Sequence, residues 1–251
     1  MIRSAPSIGT WITVPHPTVV DLICDVDLFE WLCVDMEHSP TSLLDLQAAV
    51  AIIQGRGKEA FVRVRQNTHA DIKFALDSGV DGIIIPMVNS AEDARLAVQN
   101  CHYPPRGRRG VGLARAQRFG FAFDEHLKKN AESLKIIVQV EHIDAVRQIH
   151  DLLRVDGVTG VFVGPYDLSG SMGIPGRFDS PEFKAAIARV SDATKAADRL
   201  LGMHVILPSA EKLQEAIAGG YSFIAFSIDT YFLGQKIRDE ALAFKLLELG
   251  K

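Results

Sequence analysis

The sequence predicts an α/β protein of one domain, residues 1–251, folded as a (β/α)8 TIM barrel. Three observations carry this expectation. Eight short apolar runs rich in Val, Ile and Phe alternate with stretches of helical period, the pattern of parallel strands covered by crossover helices. The length of 251 residues suits one such barrel, with no break in composition along it. No G-x-G-x-x-G follows the first run and no G-x-x-x-x-G-K-[ST] occurs, so the competing doubly wound sheet lacks its phosphate-binding signatures; the fragment Gly110-Val111-Gly112 does not supply them.

The elements are read in order. Ile8–Ile12 is the first strand, followed by Leu32–Met36, the helix Leu43–Ile53 and the strand Ala60–Val64. A helix over Ala70–Asp77, a strand over Gly82–Met87 and a helix over Ala91–Asn100 repeat the unit. The second half runs strand Ile136–Glu141, helix Ile143–Leu153, strand Gly160–Val163, helix Pro181–Ala197, strand Gly202–Ile206, helix Ala210–Ala218 and strand Phe223–Ser227, with helix Tyr231–Leu249 closing the chain. Two connections exceed what the unit needs, Cys101 to about Leu134 and Gly164 to about Ser180. Both begin Gly/Pro-rich, and long loops of this kind serve as lids or interfaces.

Composition narrows the function. With 47% hydrophobic and 23% charged residues the chain is an ordinary globular protein, and a net charge of −4 gives no global hold on nucleic acid. Small molecules are the expected partners. Cys24, Cys33 and Cys101 are odd in number and form no CxxC, which fits inert thiols in a reducing compartment, the cytoplasm. The start, Met1 to Pro6, has no apolar signal region, and no run approaches the roughly 18 apolar residues of a membrane span, so neither secretion nor a membrane is expected.

In this fold the active site forms at the C-terminal ends of the strands. Asp35-Met36-Glu37-His38-Ser39-Pro40 sets a carboxylate three residues before an imidazole: either a general base with its tautomer fixed, or a solvated loop that caps the next helix. Arg63 and Arg65 alternate on the third strand. An inward Arg63 needs an anionic partner and is either an anion or enolate binder or half of a structural ion pair, while Arg65 reads as a rim residue. Glu141 and Asp167, past the fifth and sixth strands, stand on neighbouring strand ends, where they form a site for one hard cation or belong to ion pairs. His142 points to the other face and reads as packing. The Gly/Pro turn before Asp167 presents the amides of Tyr166 and Asp167 to an anion. The arginines of Tyr103–Arg118 have no interleaved aromatics and read as subunit contacts or an anionic-substrate patch. His204, Trp11 and Trp31 read as core, and Asp229 as a helix cap or a site residue.

Together these stretches resemble the HpcH/HpaI family of class II pyruvate aldolases over nearly the whole chain. The likeness runs through G-T-W-I at Gly9, D-M-E-H-S-P at Asp35, V-R-V at Val62, G-I-I-I-P-M-V at Gly82, Y-P-P-R-G-R-R-G-V-G at Tyr103, V-Q-V-E at Val138, G-V-F-V-G-P-Y-D-L-S at Gly160 and I-D-T at Ile228. The resemblance implies a carbon–carbon lyase that reversibly cleaves 4-hydroxy-2-oxo acids, of 2-keto-3-deoxy sugar acid type, to pyruvate and an aldehyde. It implies Glu141 and Asp167 as ligands of Mg²⁺, Mn²⁺ or Co²⁺, His38 oriented by Asp35 as the base, and Arg63 stabilising the enolate. Gln139 would neighbour the metal, and the Tyr166 and Asp167 amides would hold the pyruvate carboxylate. No strand end carries a lysine for a Schiff base. The resemblance further implies a homo-oligomer, a hexamer in which Tyr231–Leu249 is exchanged.

The chain departs from the family at Tyr166, at Arg65-Gln66 and in a shorter Gly110–Phe121 loop, all of which bear on the aldehyde. Two alternatives stand beside the aldolase: a same-fold enzyme with another electrophile, citrate-forming or cleaving citryl or malyl thioesters, and a non-catalytic sensing barrel.

Overall fold

The computed structural model describes residues 5–249, so the expected domain, 1–251, reaches beyond it at both ends. Strands β1 (Ser7–Ile12), β2 (Trp31–Asp35), β3 (Glu59–Arg63), β4 (Gly82–Ile85), β5 (Lys135–Val140), β6 (Gly160–Val163), β7 (Leu200–Val205) and β8 (Phe223–Ile228) pair in parallel in chain order, and β8 pairs back onto β1. This is the predicted closed eight-stranded barrel. Around it lie α1 (Pro17–Cys24), α2 (Leu43–Gly55), α3 (His69–Asp77), α4 (Ala91–Cys101), α5 (Phe123–Ser133), α6 (Ile143–Arg147), α7 (Ile149–Leu153), α8 (Pro165–Ser171), α9 (Pro181–Ala196), α10 (Ala210–Ala218) and α11 (Asp229–Leu249). Ser42, Thr68, Ser90, Ser180 and Ser209 cap α2, α3, α4, α9 and α10 by accepting a first-turn N–H, each contributing about 1 kcal/mol.

Because side chains alternate along a strand, the barrel has two apolar systems. Outward residues such as Leu32, Val34, Val62, Ile83, Val138 and Val161 pack beneath the helices. Inward residues Trp11, Trp31, Phe61, Ile84, Ile137, Phe162 and Phe223 fill the interior, where the Trp31 and Phe223 rings stack at 4.0 Å. These rings fit because glycines face them: a Cβ at Gly9 would lie 2.1 Å from the Trp31 ring, and one at Gly82 would lie 2.1 Å from the Phe61 ring. The same alternation continues past the rings and turns Asp35, Arg63 and Gln139 inward at the C-terminal mouth.

The structure departs from the sequence reading in four places. Helix α1 is absent from that reading because its eight residues open on Pro-Thr-Val-Val, a β-branched run; His16 caps it and Pro17 occupies its first turn. The expected helix Ile143–Leu153 divides at Gln148, whose φ of −100° and ψ of 11° leave the helical region. Helix α8 fills the start of the Gly164–Ser180 connection. The connection after Cys101 holds a 3₁₀ segment, Arg115–Gly120, and α5.

That connection packs across the N-terminal end of the barrel and is no lid over this chain's own mouth. Arg115 donates to the Ser78 carbonyl (2.8 Å) and to Gln54 Oε1 (2.9 Å). Buried Arg109 pairs with Asp77 at 2.8 Å over the Tyr103 ring, and Arg106 pairs with Asp156. Among the described residues no helix is long and apolar enough to cross a membrane.

The contact between Gly82 and the Phe61 ring gives a test of the interior. Gly82→Ala should lower the free energy of unfolding by about 1–3 kcal/mol through overpacking, read by urea denaturation. Adding Phe61→Leu should recover part of the loss, whereas purely additive effects would place the strain elsewhere.

Candidate functional site

Register decides the first contact at the mouth. Asp35 and Arg63 are cross-strand partners on β2 and β3. Arg63 Nε donates to Asp35 Oδ1 at 2.9 Å and Nη2 to Oδ2 at 2.8 Å, a bidentate pair whose carboxylate is 2% exposed. The guanidinium lies over the Trp11 ring at 4.6 Å. Burial opposes its charge, but the hydrogen bonds and charge of Asp35, with Glu37 behind them, more than offset this and hold Arg63 above its ordinary value. Its remaining Nη1 lies 3.2 Å from Glu37 Oε2. Arg65, beyond the strand, is an exposed rim residue that reaches the Thr41 carbonyl.

The second group forms around Glu141, which is 4% exposed. Its Oε1 accepts from the Met87 amide at 2.6 Å and its Oε2 from the Gln139 amide nitrogen. Burial raises its pKa, the two hydrogen bonds pull it down, and the charge of Asp167 raises it again. A Cβ on Gly164 would lie 2.9 Å from Glu141 Cβ and 3.2 Å from Gln139 Nε2, so the bare backbone there lets these side chains close in. Gly164 precedes α8 and caps nothing with a side chain, so the first-turn amides of Tyr166 and Asp167 take no side-chain cap. The side chains of both residues are exposed.

The expected orientation of His38 by Asp35 is not what the structure shows. Both Asp35 oxygens are taken by Arg63, and Oδ1 also accepts from the Glu37 amide at 3.0 Å. His38 stands at the rim, 68% exposed, with Nε2 3.7 Å from Glu37 Oε2. Glu37, which the sequence reading passed over, lies between Arg63 and His38. Burial lifts its carboxyl to about 7, Arg63 opposes this, and Glu141, Asp35 and Asp167 add to it.

Neighbouring residues take structural roles. His204 is half-buried with Nε2 3.1 Å from the Ser227 carbonyl, and burial lowers its pKa to about 4, so it is neutral at neutral pH. Asp229 accepts from the amides of Thr13 (2.8 Å) and Val14 (2.7 Å) and from the Thr13 hydroxyl (2.6 Å), tying the first loop to α11. His142 caps α6 through the Asp144 amide rather than packing in the core.

The donor set fits a hard divalent cation. Asp35 offsets Arg63, which leaves the mutually repelling carboxylates of Glu37, Glu141 and Asp167 in surplus, and Gln139 Oε1 and Glu37 Oε2 are buried without hydrogen-bond partners. Among the described residues no group of three or more His, Cys, Asp or Glu is placed to hold a metal ion. Two carboxylates with open positions are the usual protein share for a cation that keeps water or substrate oxygens. Beside Pro165, an apolar groove of about 420 Å³ is lined by Tyr166, Phe178, Phe183, Met203 and Leu207. A cavity of about 550 Å³ lies at the opposite end, against Gln54, Lys58 and Arg115, and holds none of these site residues.

Comparison with known proteins agrees with the barrel fold. Residues 7–234 match the HpcH/HpaI aldolase/citrate lyase family. A 2-keto-3-deoxy-L-rhamnonate aldolase of Salmonella paratyphi A is 33% identical over 243 residues, 96% of this chain and 90% of that protein. An HpcH/HpaI aldolase/citrate lyase family protein from Burkholderia cenocepacia superposes with a TM-score of 0.89 at 29% identity, covering 96% of this chain and 95% of its own. An HpcH/HpaI aldolase from Desulfitobacterium hafniense gives 0.87 at 28%, with coverage of 96% and 93%.

The raised carboxyl of Glu37 has a signed consequence. Between its ordinary value of 4.5 and about 7 the folded chain binds this proton more tightly than the unfolded chain, so its ionisation erodes stability as pH rises through that window. In EDTA, the Tm of Glu37→Gln relative to the parent should climb from pH 4.5 to 7 and then level off. A pH-independent offset would contradict the assignment.

Proposed function

This chain belongs to the HpcH/HpaI aldolase/citrate lyase family and is a carbon–carbon lyase, and on that premise we propose that it is a divalent-metal-dependent class II aldolase cleaving 4-hydroxy-2-oxo acids reversibly to pyruvate and an aldehyde. The observation that carries this reading is the surplus of carboxylate around the paired Arg63 at the strand C-termini. The Salmonella relative is named for a 2-keto-3-deoxy acid, which supports that substrate class.

Glu141 and Asp167 are the residues that would hold Mg²⁺, Mn²⁺ or Co²⁺, which when bound would supply a Lewis acid to stabilise the enolate charge. The amides of Tyr166 and Asp167 hold the carboxylate, and Gln139 steadies Glu141. In cleavage, His38 takes the proton of the C4 hydroxyl. The C4 oxygen becomes the aldehyde carbonyl as the C3–C4 bond breaks, and its electron pair passes onto the C2 oxygen as an enolate facing Arg63. Protonation of the terminal carbon gives pyruvate.

Assembly belongs to the same reading. Helix α11 packs on β8 and β1 and then carries exposed Leu233, Ile237, Leu242 and Phe244, which supports a homo-oligomer, a hexamer in which this helix is exchanged. Free, buried Cys24, Cys33 and Cys101 support a cytoplasmic setting.

Proton exchange at the pyruvate methyl in D₂O, followed by NMR, tests the enolate half before any aldehyde is chosen. Exchange should stop in EDTA and return with Mn²⁺ or Mg²⁺, and Arg63→Ala should slow it by roughly 10²–10³-fold. Turnover of 4-hydroxy-2-oxo acids that persists without a cation would overturn the proposal.

A further inference from the structure

We infer that His204 is a specificity-determining residue of the mouth, its unengaged ring nitrogen receiving a hydroxyl carried by the aldehyde half of the substrate. The inference rests on the aldolase reading and concerns the half of the substrate that the enolate chemistry leaves unassigned.

Three observations converge on it. The first is direction. A Cβ on Gly202 would lie 2.5 Å from the Phe162 ring in the barrel interior, and His204, two residues further along β7, faces the same way. Its ring centroid is 6.0 Å from that of Trp11, the ring over which the Arg63 guanidinium lies, so the imidazole borders the same space as the group that faces the enolate. The second is the state of the ring. A carbonyl oxygen only accepts, so the Nε2 that meets the Ser227 carbonyl at 3.1 Å carries the proton. Burial disfavours a second proton, Arg63 adds to this, and the Ser227 bond and Asp35 oppose it without restoring the ordinary value, so Nδ1 keeps its lone pair. The third is access. Nδ1 has no hydrogen-bond partner among the described residues, yet it is not sealed from solvent as the neighbouring Trp11 indole nitrogen is. An imidazole that served the core alone would have that nitrogen paired or covered.

The anchor is firm. Ser227 is left-handed, with a φ of 58°, at the irregularity between β8 and β1; its hydroxyl donates to the Ile206 carbonyl at 2.9 Å, and its carbonyl also receives the Thr10 hydroxyl at 3.1 Å. The ring is thereby held through Nε2, and Nδ1 is its accepting edge. A neutral imidazole whose one N–H is engaged pairs with a hydroxyl and repels a carboxylate. It therefore favours a 2-hydroxyaldehyde, the product of cleaving a 2-keto-3-deoxy acid hydroxylated at C5, over an aldehyde with a methylene at that position. No proton is transferred to His204 and no bond to it forms.

The test is synthesis by the metal-loaded enzyme from pyruvate and either 2-hydroxypropanal or propanal, which differ by one hydroxyl, read as a ratio of kcat/KM values. The parent should prefer the hydroxylated aldehyde by roughly tenfold or more. His204→Leu should bring the ratio below about threefold, chiefly through KM for 2-hydroxypropanal. His204→Asn, whose amide oxygen takes the place of Nδ1, should restore part of the ratio. His204→Gln, whose amide nitrogen takes the place of Nε2 and keeps the bond to Ser227, should recover Tm and leave the ratio low. A parent without the preference, or a ratio that His204→Leu does not alter or that His204→Gln restores, would overturn the inference, because a brace on Ser227 affects both aldehydes alike. A parent that shows no cation-dependent exchange at the pyruvate methyl would instead remove the aldolase reading, and this assignment with it.

Discussion

The mouth of this barrel is organised by one ion pair. A guanidinium turned inward above a layer of rings cannot stand unpaired, because little solvent reaches it to share its charge. Asp35 meets it from the neighbouring strand at the same register level, with two parallel hydrogen bonds, and Trp11 closes the space beneath. Once that pair is set, Arg63 Nη1 meets Glu37 Oε2 at 3.2 Å, and the turn after β2 hangs from the same Asp35 carboxylate through the Glu37 amide.

The remaining acids make sense against that pair. Asp167 raises the pKa of both Glu37 and Glu141, and Glu141 raises that of Glu37, while Arg63 is already matched by Asp35. Like charges held this close together are a cost to the fold. The hydrogen bonds from Met87 and Gln139 hold Glu141 in place, and Gly164 keeps the adjoining backbone close. The interior of packed rings against glycines forms the floor beneath these groups.

The two long connections divide by position. The one after β6 forms part of the mouth through α8, whereas the one after α4 is spent on the far end of the barrel, where its arginines pair with Asp77 and Asp156 or bind carbonyls. A stretch whose arginines read as subunit contacts or an anionic-substrate patch in one dimension also braces the far end of its own barrel in three.

The alternation of eight apolar runs with helical stretches fixes the barrel, since each inward or outward side chain is a matter of period two and needs no knowledge of neighbours. The same period allows Arg63 to turn inward, Asp35, Glu141 and Asp167 were legible as acids at strand ends, and Gln139 was legible only through the family resemblance. Helix α1 and the break at Gln148 were not, because a short β-branched helix and a single non-helical residue leave weak local signals. Partner choice was also beyond the sequence. D-x-x-H spacing suggests that Asp35 serves His38, yet sheet register brings Arg63 alongside Asp35 and leaves Glu37 next to the imidazole. Glu37 and the Met87 amide therefore emerge only in three dimensions: spacing along a chain says which groups are near a strand end, and only the closed sheet says which charges must neutralise one another there.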